Sequence, residues 1–425
     1  MVDLDEHNAG DLLRPLRDDP PRPPAVDVRR AMRDGHRRRT TRRAAIAGAV
    51  GLAVLAVAAV PAVLAATGDD RLAPPPGGTS PTGVTPAPPS TSGTVDPLTA
   101  TPRPISGAGA PRSCRAEKLP APSGAPKTLV TAADPTGKLI FGLAEYGADV
   151  NRVVLWQGNK LSMIDIPGDE PQINSVNEAG TAVGWSMDNG TTTARLYRDG
   201  KVTTLPGGTD ATAVSINASG AIAGNRGHGG FGPLSHPVVW RDATAPPHEL
   251  PLPKDAQGGA ANDIDDDGTV VGLITIGVQQ FPYVWGPDDA GRQLPLPPGT
   301  PVSPNGGGKP GPSSTVSHVR NGWAIGSSGA YTPSVRRTRW DLRTGAVQTL
   351  PDQDTSLVNA RGWLAGTGPD GHAILVAGDK RIQLPHAYPH PQSVLPITIS
   401  DDAHTITGNS YDQSGDIHPV LWRCS

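Results

Sequence analysis

Cysteine is almost missing from this chain: 425 residues contain two, so at most one intramolecular disulfide can form. Lysine is scarce too, with eight among 37 basic residues, and aromatics make up only 4% of the chain. There is no Gly-x-Ser-x-Gly elbow, no His-Glu-x-x-His helix signature and no phosphate-binding loop. Ser-x-Asp-x-Gly-x-Thr-Trp boxes are missing as well. The local signatures of a serine hydrolase, a zinc peptidase, a nucleotide hydrolase and a sialidase are therefore absent. Neither charge dominates, since 37 basic and 40 acidic residues leave a net charge of −3. Beyond residue 113 the apolar residues show no helical period, which argues against a helical repeat.

In place of these features there is a repeat. A degenerate unit of about 44 residues occurs seven times in the second part of the chain. Its full form is an Asn/Asp-x-x-Gly-x-x-x-Gly turn, then an apolar pair ending in an aromatic residue, then a Leu-Pro, and several copies depart from it at one position or more. One copy runs Ile216-Asn217-Ala218-Ser219-Gly220-Ala221-Ile222-Ala223-Gly224, then Val238-Val239-Trp240, then Leu250-Pro251. The turns start at Asp134, Asn177, Asn217, Asp265, Val319, Asn359 and Asp401. The aromatic position holds Trp156, Tyr197, Trp240, Trp285, Trp340, Val376 and Trp422. The fifth unit lacks the Asn/Asp and carries a Gly/Pro-rich insertion at 301–314.

Asn and Asp bond back to their own backbone and Gly accepts positive φ, so each Asn-x-x-Gly reads as a hairpin turn. The short β-branched stretches between turns read as strands, and Asp199-Gly200 suits a two-residue hairpin. Proline after Leu ends the last strand, because it cannot donate to a ladder. Each unit is thus about four antiparallel strands. Sheets of this size stacked around an axis bury one another, with one Trp per sheet as filler. The expected fold is all-β: a seven-bladed β-propeller of four-stranded antiparallel blades.

The last aromatic, Trp422, has no Leu-Pro after it, whereas Leu119-Pro120 precedes the first turn. The last blade is therefore expected to be split, with its outer strand supplied from about residues 116–120. Cys424 stands at +2 from Trp422 and Cys114 at −5 from Leu119. These are the places of Asp199 and Gly200 relative to Tyr197 and Leu205. A Cys114–Cys424 disulfide is expected to replace the hairpin turn that the split removes. By the chain-entropy model, a loop of that length gives roughly 5–6 kcal/mol as an upper bound. A structural disulfide implies an oxidising compartment.

Residues 44–66 form an uncharged, Ala-rich apolar run, long enough at 1.5 Å per residue to cross a bilayer. Eight arginines between Arg29 and Arg43 precede it. A transmembrane helix is expected there, with 1–43 as a cytoplasmic Arg-rich tail and the rest outside the cell. The alternative is a cleaved export signal that releases a secreted protein. Residues 67–113, rich in Pro, Thr, Ser and Gly, read as a disordered linker or stalk, and 114–425 as the propeller. Residues 1–43 hold 11 Arg against 8 acids and the linker is balanced, so 114–425 carries about −6. No nucleic-acid partner is expected for a domain of that charge.

No catalytic residues are assigned. Asp263, Asp265 and Asp267 have the Asp-x-Asp-x-Asp-Gly spacing of a calcium loop, but Ile274 stands where the closing acid belongs. Calcium is the only cofactor that the spacing suggests, and the repeat turn explains Asp265 and Gly268 without it. His236, His372 and His418 share one repeat position and would meet a metal only if that position faced the axis. Acid pairs such as Asp401-Asp402 read as solvated turn residues. Trp185, Trp323 and Trp363 follow the turns and read as core filler, the alternative being a ligand-binding face.

His-Pro-Val-Val-Trp (236–240), His-Ala-Ile-Leu (372–375) and His-Pro-Val-Leu-Trp (418–422), each placed after an Ile-Asn-x-x-Gly-type turn, resemble the HAF-type extracellular repeats of bacteria. The likeness covers roughly 115–423 and implies an exported, propeller-like domain; it supplies no catalytic residues. The tail, anchor and stalk, with Arg- and Ala-rich composition, look like an actinobacterial surface protein. The expected function is a monomeric, membrane-tethered module that binds a protein or glycan at the cell surface. Two alternatives stand beside it. One is an extracellular polysaccharide hydrolase or lyase working at the axial channel. The other is a signalling receptor coupled through residues 1–43.

Overall fold

The structure, a computed structural model, describes residues 104–105, 109–147, 150–300, 314–329, 335–350, 354–389, 391 and 393–425. The tail expected at 1–43, the span at 44–66 and all but the end of the linker lie outside the described residues. So does the insertion, apart from Ser314. All described residues belong to the second of two compact units, Val57–Ser425. Among them no helix is long and apolar enough to cross a membrane.

The described chain is all-β and propeller-like. Five four-stranded antiparallel sheets cover 169–209, 211–249, 258–293, 315–349 and 354–383. An eight-stranded sheet combines 127–164 with 393–424 and the strand Cys114–Lys118. Its two halves meet at a single parallel bridge, Lys127 to Ile417. The first strand of each four-stranded unit touches the first strands of the units before and after it, and the circuit closes between 393–399 and 127–133. These first strands are therefore the inner ones. Each carries a β-bulge, at Thr131, Asn174, Val214, Asn262, Ser317, Ser356 or Ile397.

Cys114–Lys118 pairs antiparallel with Ile417–Cys424, as the outer strand of the closing unit. Cys114 faces Cys424 at a Cα separation of 4.0 Å, and the two form a disulfide. The backbone amides of Arg112 and Ser113 donate to the Ser425 carbonyl beyond it.

The repeat residues turn out to act between sheets as well as within them. Asn217 Oδ1 accepts the amide of Ala221 inside its own turn, while its Nδ2 donates to the Asp265 carbonyl in the next sheet, 3.0 Å away. Asn177 treats Thr181 and Asn217 the same way, and Asn359 treats Trp363 and Ser400. These three asparagines are nearly fully buried. A buried carboxamide needs both halves satisfied, and only Asn supplies an acceptor for its own turn and a donor for its neighbour.

The Trp and Leu-Pro positions form a second interlock. The indole Nε1 of Trp156, Trp240, Trp285, Trp340 and Trp422 donates to the carbonyl of Pro120, Pro206, Pro251, Pro295 and Pro385 respectively, at 2.7–2.8 Å. Each bond joins a sheet to the one before it. Pro120 lies just beyond the outer strand of the closing unit, so the interlock spans the seam as well. In the Tyr197 sheet the Pro167 carbonyl is taken by Ser186 Oγ and the buried Arg195 instead. The closing Gly of the motif has its own reason: a Cβ on Gly184, Gly224, Gly272 or Gly326 would collide with an inner-strand carbonyl. Trp240→Phe keeps an aromatic ring and removes the donor, which leaves a partly buried carbonyl without this partner. The expected cost is about 1–2 kcal/mol, read from denaturant unfolding.

Two turns differ from the sequence reading. The fifth turn does not begin at Val319. It is a two-residue hairpin of Asn321 and Gly322, at φ 49° and 76°, with Arg320 paired to Trp323. Asn-Gly fits such a mirror-image turn, so the missing Asn/Asp at Val319 marks a shorter hairpin. The seventh turn begins at Ser400, whose Oγ accepts the Thr405 amide, with Ala403 at φ 58° in the place of Gly. That frees Asp401 for a different role.

Candidate functional site

The main polar cluster lies where the inner strands of three units run into their turns. Arg320 ends the strand Thr315–Arg320. Its Nε and Nη2 donate to the two carboxylate oxygens of Asp401 at 2.9 and 2.8 Å. Its Nη1 lies 3.1 Å from Asp266 Oδ1. Asp401 belongs to the unit two places onward and Asp266 to the unit before, so one guanidinium ties the turns of three units. Asp401 is thus the partner of a bidentate ion pair and not a solvated turn residue. Burial opposes the charge on Arg320, but Asp401, followed by Asp266 and Asp265, outweighs it and holds the guanidinium pKa above its ordinary value.

Asp265, also buried, accepts the amides of Asn321 and Asp266 on one oxygen and that of Gly322 on the other. Burial pushes its carboxyl pKa up, and these three amides draw it part of the way back. Aspartate suits this place because the shortened fifth turn presents two amides across the interface. Asp263 accepts Ser215 Oγ and its own strand's Ile264 amide on one oxygen, and the Val319 amide on the other. His318 Nδ1 lies 3.6 Å from Asp263 Oδ2.

Asp263, Asp265 and Asp267 do not gather as a calcium loop. The bulge at Asn262 and the turn after it send them in different directions, and Asp267 accepts the Thr269 amide. Among the described residues no three His, Cys, Asp or Glu side chains are placed to hold a metal ion. His236, His372 and His418 do not converge either. They stand at or beside the starts of third strands in three different sheets, away from the inner strands. His372 meets His386 ring to ring at a tilt, and His418 stacks on Tyr388 and pairs with Asp412. Trp185 is buried. Trp323 and Trp363 are partly buried and lie against core clusters, Trp323 under Arg339 and Arg343 and Trp363 under Arg361.

Chemically, the inner cluster sets one guanidinium and a group of backbone amides against four carboxylates. Asp263, Asp265, Asp266 and Asp401 each accept a hydrogen bond from another unit. His318 is the one imidazole of the cluster, with its side chain 38% exposed. Arg320 and the Asn ladder carry no strong short-range sequence signal. The Asn-Gly pair at 321–322 was the available clue to the shifted turn.

No family model matches the chain, and no curated protein matches it. Solved structures are similar to it at low identity. An oligogalacturonate lyase in complex with manganese is 12% identical, with a TM-score of 0.49 over 75% of this chain and 99% of that one. A virginiamycin B lyase from Staphylococcus aureus is 11% identical, with a TM-score of 0.44 over 73% and 99%. A prolyl endopeptidase is 12% identical, with a TM-score of 0.45, and this chain spans 51% of its length. Likenesses of this size leave the activity of the present chain to its own residues.

Proposed function

We propose that this chain is a membrane-tethered, extracellular recognition module of the HAF-repeat type, whose seven-bladed propeller binds a protein or glycan without transforming it. Seven blades follow if the two halves of the eight-stranded sheet count separately beside the five four-stranded sheets. The observation that carries the reading is the engagement of every carboxylate of the inner cluster in bonds between units. The sheets are thereby fixed against one another, and connections held on a rigid frame suit recognition. The disulfide supports an oxidising compartment, in keeping with a C-terminal domain outside the cell. The run 44–66 and its arginine flank support the anchor and its orientation.

The test is a glycan and peptide array probed with the purified chain, followed by incubation of each retained glycan and analysis for cleavage. Saturable retention without turnover is expected, and it should persist in His318→Ala. Turnover of a polysaccharide that disappears in His318→Ala would replace the binding reading with the hydrolase or lyase one.

A further inference from the structure

The sheet 354–383 is joined to the closing unit by a connection that starts at Leu384. Its beginning is fixed: the Leu384 amide donates to the Ala373 carbonyl, and the Pro385 carbonyl accepts Trp422 Nε1. Beyond that point two ring contacts hold residues 384–389. His386 lies on His372, with ring centroids 5.0 Å apart and planes 35° apart. Tyr388 stacks on His418 at 4.7 Å and 22°. The connection is thus clasped by the two histidines that share a repeat position in neighbouring units.

The two contacts have different electrostatic surroundings. His372 has Asp370 nearby, Nδ1 to Oδ2 3.5 Å, but Asp370 is shared with Arg381 at 3.8 Å. Burial, and then His372, lowers the pKa of His386. With a proton on each, the two rings, 5.0 Å apart, would set like charges against each other. His418 differs, because Asp412 Oδ2 lies 3.0 Å from its Nε2. Hydrogen bonds from Ser414 and then His418 hold the Asp412 carboxyl well below the usual carboxylate range. Burial raises the Tyr388 phenol, so that ring stays neutral, with Lys118 Nζ 4.5 Å from its centroid.

We propose that residues 384–389 form an acid-opened clasp, in which a proton taken up by His386 releases it from His372 while Tyr388 stays on His418. The sign follows from the lowered His386 pKa. A histidine that prefers to be neutral in the fold contributes its full share above the unfolded value of 6.5. That share is lost as pH falls from there through the lower folded value. The clasp is closed at neutral pH and opens in mild acid.

Hydrogen exchange of the full chain at pH 7.5 and 5.0, normalised to intrinsic rates, tests this. Exchange across 384–389 should rise about tenfold at pH 5.0 relative to the strand Thr405–Tyr411 as the segment opens locally. His386→Phe keeps a ring on His372 and cannot titrate, so it should stay closed at both pH values. His372→Gln should flatten the dependence from the other side, and His418→Gln should speed exchange at both pH values without removing it. A wild-type ratio near one would overturn the proposal, and so would an unchanged ratio in both His386→Phe and His372→Gln.

Discussion

Replacing Cys114 and Cys424 together by alanine is expected to lower the unfolding free energy by about 3–5 kcal/mol. The loop they close spans a sequence separation of 310 residues, for which the chain-entropy model allows about 5–6 kcal/mol. The lower figure is expected because the unfolded chain retains some structure, while the native seam keeps its other ties. Cys114–Lys118 keeps its ladder with Ile417–Cys424. Asn409 clamps the amide and carbonyl of Val130, the Asp401 amide donates to the Pro135 carbonyl, and Trp156 holds Pro120. The loss therefore acts mainly through the unfolded chain, which regains the freedom that the crosslink removes. Against a typical domain stability of about 5–15 kcal/mol this is a large fraction. Denaturant unfolding of the oxidised protein, the reduced protein and the double variant would measure it. Equal midpoints in all three would show that the disulfide adds nothing to closure.

Arg320→Met is expected to cost a similar amount, about 3–5 kcal/mol, through a different mechanism. The side chain of Arg320 is 16% exposed, Asp401 18% and Asp266 19%, so removing the guanidinium leaves two poorly solvated carboxylates without the cation that both face. Arg320→Lys should lose less but cannot restore the bond, because an ammonium cannot meet both oxygens of Asp401 in a planar fork. One control separates lost pairing from lost packing. The triple variant Arg320→Met, Asp266→Asn, Asp401→Asn should recover much of the loss, since no uncompensated charge remains. No recovery in the triple variant would mean that Arg320 acts through its stem alone.

The periodic part of this architecture was legible in the sequence because it repeats. Seven Gly-closed turns and a Leu-Pro displaced to the front of the domain were enough to place the units and the outer strand near Cys114. What was not legible lies between units. Asn217 looks complete as a turn residue, yet its amide nitrogen bonds a carbonyl 48 residues away. Trp240 looks like filler, yet it donates to Pro206, 34 residues back. Period alone shows that a residue recurs and not which neighbour it serves. Arg320 and Asp401, 81 residues apart, occur once each, so no repetition could reveal their pairing. The same limit explains the candidate site. The carboxylates at 263, 265 and 267 have calcium spacing along the chain, but a bulge and a hairpin point them at separate neighbours.

The Asn409 clamp on Val130 has a consequence for how the molecule comes into being. Its two ends are 279 residues apart, so the sheet at 127–164 is made long before its last neighbour exists. At a synthesis rate of about 5–20 residues per second, the wait lasts tens of seconds. Throughout that interval the nascent sheet has one raw flank. Contacts this distant in sequence also slow folding, because loop entropy must be overcome before they form. Completion therefore comes as a late, single event, and a translation pause or an early stop anywhere in the closing unit would leave the earlier sheets open to association with other chains.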